Sequence, residues 1–205
     1  GNVGIMNHLS FISRVTTTIS ESEIIMALED ADTILLSSVV SSDFHTASKV
    51  FVNGKIIGVH LQPKLLVRHM KLLKLNSLIN ITISISWDIQ KNEIHIFSDS
   101  GRIIRPIFHI KKQKDGTQFN QLLNKDYSYI RSWKHAIHGY MIMNDSVDFN
   151  TEFYFRDELQ NIKESYPDDY LDFLESKSAP IEYIDSIETE NTFIAKDMYN
   201  IESFH

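Results

Sequence analysis

There is no cysteine among the 205 residues, which excludes a disulfide framework, a thiolate zinc site and a cysteine nucleophile. Glycine is sparse, at 7 residues, and none of them builds a Gly-rich phosphate loop or a nucleophile elbow. No His-Glu-x-x-His helix is present either, so as an isolated enzyme the chain has nothing to offer. No apolar run approaches the ~20 residues that a membrane-spanning helix needs. The opening residues GNVGIMNHL lack the basic stretch and apolar core of a secretory signal. These absences fit a nuclear or cytoplasmic protein with no membrane partner. Isoleucine and asparagine are abundant, a usage that suits an AT-rich coding genome. A hydrophobic share of 42% with 23% charged residues describes a folded chain, large enough for one sizeable core or two small ones.

Charge divides the chain. Residues 1–114 carry 13 Lys+Arg against 9 Asp+Glu, and residues 115–205 carry 7 against 18, giving +4 and −11 within the total of −7. An acidic half repels a phosphate backbone at close range. If the protein serves nucleic acid, that half does not hold it. It reads either as a solvated surface or as a module that docks a protein partner.

Local patterns predict an α+β fold of small mixed sheets and short helices, arranged as two small modules behind an N-terminal strand segment. Leu9–Val15 reads as a strand, and Ser20 opens a helix whose first turn carries Glu21 and Glu23. Residues 37–48 read as a loop. Asn53-Gly54 between Val50–Val52 and Ile56–Val59 is the strongest short hairpin signal, since both residues tolerate the positive φ of a type I′ turn. Gln62-Pro63 starts a helix with an apolar stripe of Leu66, Met70 and Leu73, opposite a basic face of Lys64, Arg68, Lys71 and Lys74. Asn76 and Ser77 end it. Ile81–Trp87 alternates as a strand with one wet face. Glu93–Phe97 and Arg102–Ile110 follow as strands around a turn at Ser100-Gly101. The window 50–110 therefore predicts one compact unit, with Phe51, Leu66, Met70, Ile83, Ile85, Ile96 and Ile104 buried. Beyond it, Phe119–Leu123 reads as a short helix and Phe153–Phe155 as a strand. Pro167–Leu174 reads as a helix opening at Ser165 or Tyr166, and Ile181–Ile187 with Thr192–Ala195 as paired strands.

The basic helix face is the one feature resembling a nucleic-acid footprint, although it has no aromatic residues for base stacking. His135 and His138 fall on one face of a helix but lack further zinc ligands, so they read as packed or surface histidines. Asp168-Asp169 and Glu188/Glu190 could be paired carboxylates for acid–base work or magnesium, against the simpler reading of solvated acids.

Four stretches carry a family resemblance. Lys49–His60 (KVFVNGKIIGVH) resembles the V-F-V-N-G-x-x-x-G-V-H segment of the second-largest subunit of eukaryotic-type DNA-directed RNA polymerases. Ser98–Ile107 (SDSGRIIRPI) resembles the T-D-x-G-R-x-x-R-P-L segment that follows it. Asn2–Ser10 resembles the N-x-G-L-x-x-x-L-S stretch after the family's T-P-E-G motif, and Ile181–Asp185 resembles its V-E-Y-I-D strand. The motif residues so marked are Val52, Asn53, Gly54, Gly58, Asp99, Gly101, Arg102, Arg105 and Pro106. Local physics agrees: Gly58 permits close backbone approach, and Arg105-Pro106 suits a strand edge or start.

The resemblance implies an internal piece of that subunit. Residues 1–36 would continue the fork region, 46–111 would form the first external domain and 112–205 the second. Asn2 would lie near the nucleic-acid channel, while residues 115–180 depart from the pattern. The resemblance further implies DNA-templated transcription by the whole enzyme, with magnesium held mainly by the largest subunit and no catalytic residue, cofactor or metal in this chain. Its partners would be the other polymerase subunits, the rest of its own subunit and transcription factors, with DNA template and RNA present in the whole enzyme. The composition and divergence suit a large DNA virus, where the location would be a viral factory or virion. The resemblance also leads us to expect Ile5, Met6, Leu9, Phe11 and Ile12 to lack partners within the chain.

Overall fold

Asn53 and Gly54 adopt φ of 48° and 78°, so the two residues that signal a type I′ turn take the positive φ it requires. They join β3 (Ser48–Val52) to β4 (Lys55–His60) in an antiparallel hairpin with an irregularity between Val50 and Phe51. The computed structural model describes residues 4, 8–40, 46–109, 111–112, 118–119, 132–143, 147–148 and 150–195. Before the hairpin come β1 (Arg14–Val15), α1 (Glu21–Glu29) and β2 (Ile34–Leu35). After it come α2 (Pro63–Leu75), β5 (Ser84–Asp88), β6 (Glu93–Phe97), β7 (Ile103–Phe108), β8 (Lys111–Lys112) and β9 (Gln118–Phe119). The remaining elements are α3 (Trp133–Ile137), α4 (Arg156–Ser165), α5 (Tyr170–Lys177), β10 (Ile181–Ile184) and α6 (Ser186–Glu190). The fold is α+β, with small mixed sheets as the sequence predicts.

A five-stranded sheet runs in the order β2-β4-β3-β6-β5, antiparallel except for the parallel pair β3 and β6. Alternation along β3 and β6 turns Val50, Val52, Ile94 and Ile96 into the core. There they meet Leu66, Met70 and Leu73 of α2, Ile24 and Leu28 of α1, Leu159 and Ile162 of α4, and Leu174 of α5. The main core is thus continuous from α1 to α5. A second cluster joins Ile81 and Ile104 to Ala136, Ile137, Ile181 and Tyr183.

Several expectations change. Phe51 is only half-buried, because alternation puts it on the outer sheet face with its ring stacked 4.9 Å from His95. The other six named core residues are buried, but Ile104 belongs to the second cluster, since β7 leaves the five-stranded sheet. Leu9–Val15 is a strand only at Arg14–Val15. The Ile81–Trp87 stretch has no wet face over 81–86. Thr82, Ser84 and Ser86 are buried too: Asn80 accepts from Thr82 and Asn191 donates to Ser86, while the Ser84 hydroxyl has no hydrogen-bond partner among the described residues. Phe153–Phe155 is irregular chain, pinned where Tyr154 N–H donates to Glu23 and Phe155 N–H to Leu78 O. Two helices, α4 and α5, flank Pro167 in place of one starting at Ser165 or Tyr166. Phe119 lies in β9, and the rest of its expected helix falls outside the described residues. Ile181–Ile184 does not pair with 192–195. It pairs with β7, residues 186–190 turn helical, and 192–195 form no strand.

Candidate functional site

Residues from the motif stretches converge on one ionic seam. β7 is the middle strand of a three-stranded antiparallel sheet, β1-β7-β10, so the stretch around Arg105 pairs directly with Ile181–Ile184. At its start Gly101 turns the chain at φ 85°. Next to it Arg102, largely buried, reaches three ways. Its Nε donates to Asp99 Oδ1 at 2.8 Å, Nη1 to Asp185 Oδ2 at 3.1 Å and Nη2 to Thr82 O at 3.1 Å. The planar guanidinium fork suits this set of acceptors. Asp185 in turn caps α6, its Oδ1 accepting from Glu188 N–H at 2.8 Å.

Glu188 carries the seam into the core. Its two oxygens accept from Lys74 Nζ at 3.1 and 2.9 Å, and Oε1 also accepts from Ile85 N–H at 3.0 Å. Lys74 is only 1% exposed. Glu182 Oε1 lies 3.4 Å from Lys74 Nζ and 3.8 Å from Lys71 Nζ. Burial alone would lower the Lys74 amine, but Glu188 and Glu182 outweigh it and hold the amine above its ordinary value. Burial would raise Glu182, yet Lys74 and Lys71 pull its carboxyl well below the usual carboxylate range. For Glu188, burial prevails over Lys74 and raises its carboxyl.

The seam corrects the reading of α2. Its basic row is not a free face. Arg68 pairs with Asp172 at 2.8 Å and Glu175 at 2.6 Å, Lys71 pairs with Glu182, and Lys74 is enclosed. Lys64 alone of the four stays exposed without an ion pair among the described residues. The acidic half of the chain supplies all these partners. Lys74 sits one helical turn after Met70, on the flank of the apolar stripe, and that spacing was the available signal.

The other marked residues have local duties. Asn53 Nδ2 donates to Glu21 Oε1 at 2.9 Å and Ser98 Oγ at 3.0 Å, while its Oδ1 accepts from Ser98 N–H at 2.8 Å. Val52 is fully buried. At Gly58 any Cβ would collide with Ile34 O, because β2 crosses there against β4. Pro106 lies in the part of β7 that only β10 pairs. His109 N–H donates to Pro180 O, so the odd-numbered residues of this strand face β10, and alternation turns Pro106 to the side where β1 has ended. Arg105 is exposed. Asn2, Ile5 and Met6 fall outside the described residues.

His135 bonds Ser132 and His138 bonds Ser77, so the pair shares no site. Among the described residues no group of three or more His, Asp or Glu could hold a metal ion. Asp168, Asp169 and Glu190 are solvated, whereas Glu188 is structural. No helix among the described residues is long and apolar enough to cross a membrane.

Two buried histidines give the protein an acid-sensitive core. Burial lowers His69 to about 4, helped by Lys163, and lowers His138 to about 4, helped by Lys134. The unfolded chain binds these protons near pH 6.5, so stability falls as pH drops from there and levels off once the folded histidines also titrate. We expect the His69 contribution to approach about 3 kcal/mol. Urea unfolding across this range checks it, and His69→Leu is expected to flatten the profile.

Residues 50–111 match the family described as RNA polymerase Rpb2, domain 4. The chain is 33% identical over 119 residues to DNA-directed RNA polymerase II subunit RPB2 of Schizosaccharomyces pombe, covering 58% of this chain and 10% of that protein. It is 32% identical over 111 residues to the RPB2 subunit of Encephalitozoon cuniculi, covering 54% and 10%. A probable RPB2 homologue of Invertebrate iridescent virus 6 is 30% identical over 118 residues, covering 55% and 10%. Through residues 50–111 the chain is thus similar to domain 4 of the second-largest subunit of DNA-directed RNA polymerases, and the alignments with these relatives extend the similarity over 54–58% of it. It spans about a tenth of the length of the curated relatives it matches.

Proposed function

We propose that the chain is a structural, non-catalytic segment of the second-largest subunit of an RNA polymerase that carries out DNA-templated transcription. One observation carries this reading beyond the matched window. Two stretches read separately as family-like, Ser98–Ile107 and Ile181–Asp185, are neighbours in space, paired through β7 and β10 and clamped by Arg102 on Asp185. Under this reading residues 46–111 are the first external domain and 112–205 the second, while 1–36 continue the fork and bring Asn2 toward the nucleic-acid channel. The motif residues Val52, Asn53, Gly54, Gly58, Asp99, Gly101, Arg102, Arg105 and Pro106 keep these pieces in register. Magnesium belongs to the complete enzyme, held mainly by the largest subunit. The partners are the remaining polymerase subunits, transcription factors and, in the whole enzyme, template and RNA. The place of work is the nucleus, or a viral factory or virion for a viral source.

Primed-template extension tests the non-catalytic part. The purified 205-residue chain is expected to add no nucleotide with magnesium present, and incorporation that survives stringent purification would overturn the reading. Co-expression with the flanking segments of a related subunit tests the structural part. Co-purification is expected, and failure to associate under conditions where the chain is folded would count against it.

A further inference from the structure

We propose that Asn53 is a site of spontaneous deamidation, which the folded chain suppresses by clamping the asparagine side chain and which an opened hairpin releases. Asn53-Gly54 is the only Asn-Gly pair in the chain. The pair is reactive because glycine, with no side chain, leaves its backbone nitrogen unscreened. Gly54 N bonds to Asn53 Cγ, and the Asn53 amide nitrogen takes up the displaced proton and leaves as ammonia. Water then opens the cyclic imide at either of its carbonyls. Opening on one side gives aspartate, and on the other isoaspartate, in which the main chain runs through the side-chain carbonyl. Water is the only co-reactant.

The folded hairpin opposes the first step. Asn53 Nδ2 donates to Glu21 Oε1 at 2.9 Å and to Ser98 Oγ at 3.0 Å, while Oδ1 accepts from Ser98 N–H at 2.8 Å. Both ends of the amide are therefore committed to α1 and to the chain just after β6, whereas ring closure needs Cγ to swing onto Gly54 N. The Asn53 N–H is held as well, donating to Ile96 O at 2.9 Å. Steric cover contributes nothing, since Gly54 is exposed and no atom beyond its chain neighbours lies within 4 Å of where a Cβ would stand. Protection thus lasts as long as Glu21 and Ser98 hold the side chain.

The products cannot rebuild this clamp. Aspartate presents an oxygen where Nδ2 donated, so a second carboxylate faces Glu21 Oε1 across the same short gap. Lys55, 3.2 Å from Glu21 Oε2, is the nearby cation, but its side chain is 69% exposed and water weakens its hold. The Ser98 hydroxyl already donates its hydrogen to Ile19 O at 3.1 Å, so it has none for the new oxygen. Isoaspartate lengthens the main chain inside a two-residue turn and breaks the strand register. A transient parting of α1 from the hairpin thereby becomes permanent, and the pair limits how long an opening chain keeps its fold.

Mass spectrometry of the tryptic peptide Val50–Lys55, taken over time from the 205-residue chain in warm neutral buffer, measures the conversion. The same chain in urea gives the unprotected rate. The native rate is expected to be at least about tenfold slower, because reaction tracks the opened population. Glu21→Ala is expected to raise the native rate by about threefold or more and to leave the urea rate unchanged. Glu21→Gln keeps an acceptor for Nδ2 and is expected to stay near the parent rate. Glu175→Ala, which removes a partner of Arg68 instead, is expected to change neither rate. Circular dichroism checks that the variants fold, and the comparison of native and urea rates needs no variant. Equal rates with and without urea, a native rate indifferent to Glu21→Ala, or an equal rise with Glu175→Ala would each overturn the proposal.

Discussion

Lys74→Met is expected to destabilise the protein by about 3–5 kcal/mol. The substitution keeps the shape of the side chain and removes its charge, so the loss comes from what is left behind. Glu188 and Glu182, both almost fully buried, would face each other with Lys71 and His109, 3.8 and 3.7 Å from Glu182, left beside them. Their carboxyls would then titrate upward, because burial opposes the charged form and the counter-charge nearest to both is gone. The sign follows. A carboxyl whose folded pKa lies above its unfolded value favours folding as it gains a proton, so the deficit of Lys74→Met should shrink as pH falls. In the parent chain Glu182 behaves oppositely: its depressed value contributes stability at neutral pH that is lost in strong acid. Urea midpoints of both proteins between neutral pH and acid check the prediction, and parallel profiles would refute it. Adding Glu188→Leu to Lys74→Met is expected to recover much of the loss, since a buried pair replaced whole by apolar groups is often neutral.

Arg102→Met is expected to cost a similar amount, about 3–5 kcal/mol. Asp185 would lose its counter-charge while nearly fully buried, and Thr82 O would lose its donor. Arg102→Lys is expected to rescue little, because one ammonium cannot reach Asp99, Asp185 and Thr82 O in the geometry of the guanidinium fork. Hydrogen exchange separates this from a uniform loss: protection is expected to fall first across β7, β10 and α6. Loss confined to the Asn53-Gly54 hairpin would contradict the assignment of Arg102 to this seam.

Short-range chemistry was legible in the sequence and long-range closure was not. Asn53-Gly54, Pro63 and the stripe Leu66–Met70–Leu73 each act through their own neighbours, and each stands where local reasoning placed it. The period-two pattern of Ile81–Ile85 was equally plain, but the inference of a wet face failed. Burial of Thr82, Ser84 and Ser86 depends on α6 and Asn191, about a hundred residues away. Lys74 was misread for the same reason, since a lysine looks solvated until Glu188 is known to reach it. Pro167 lies in the turn between two helices rather than in the first turn of one, and α4 before it escapes local reasoning because Leu159 and Ile162 give its apolar face only two buried anchors. The strand expected over Ile181–Ile187 ends at Ile184, because the next residue, Asp185, offers its carboxylate as a helix cap. In the fold that same carboxylate accepts from Glu188 N–H and starts a helix.

The buried lysine also bears on how the chain is made. The carboxylate that neutralises Lys74 stands 114 residues further along the chain, which at roughly 5–20 residues per second leaves about 6–23 s of synthesis between them. Over that interval α2 can form its turns, but it cannot sink into its final seat without enclosing a bare ammonium. The core between α2 and β5 is therefore held open until the β10–α6 segment has left the ribosome, and a chain that stops short of Glu182 never closes it.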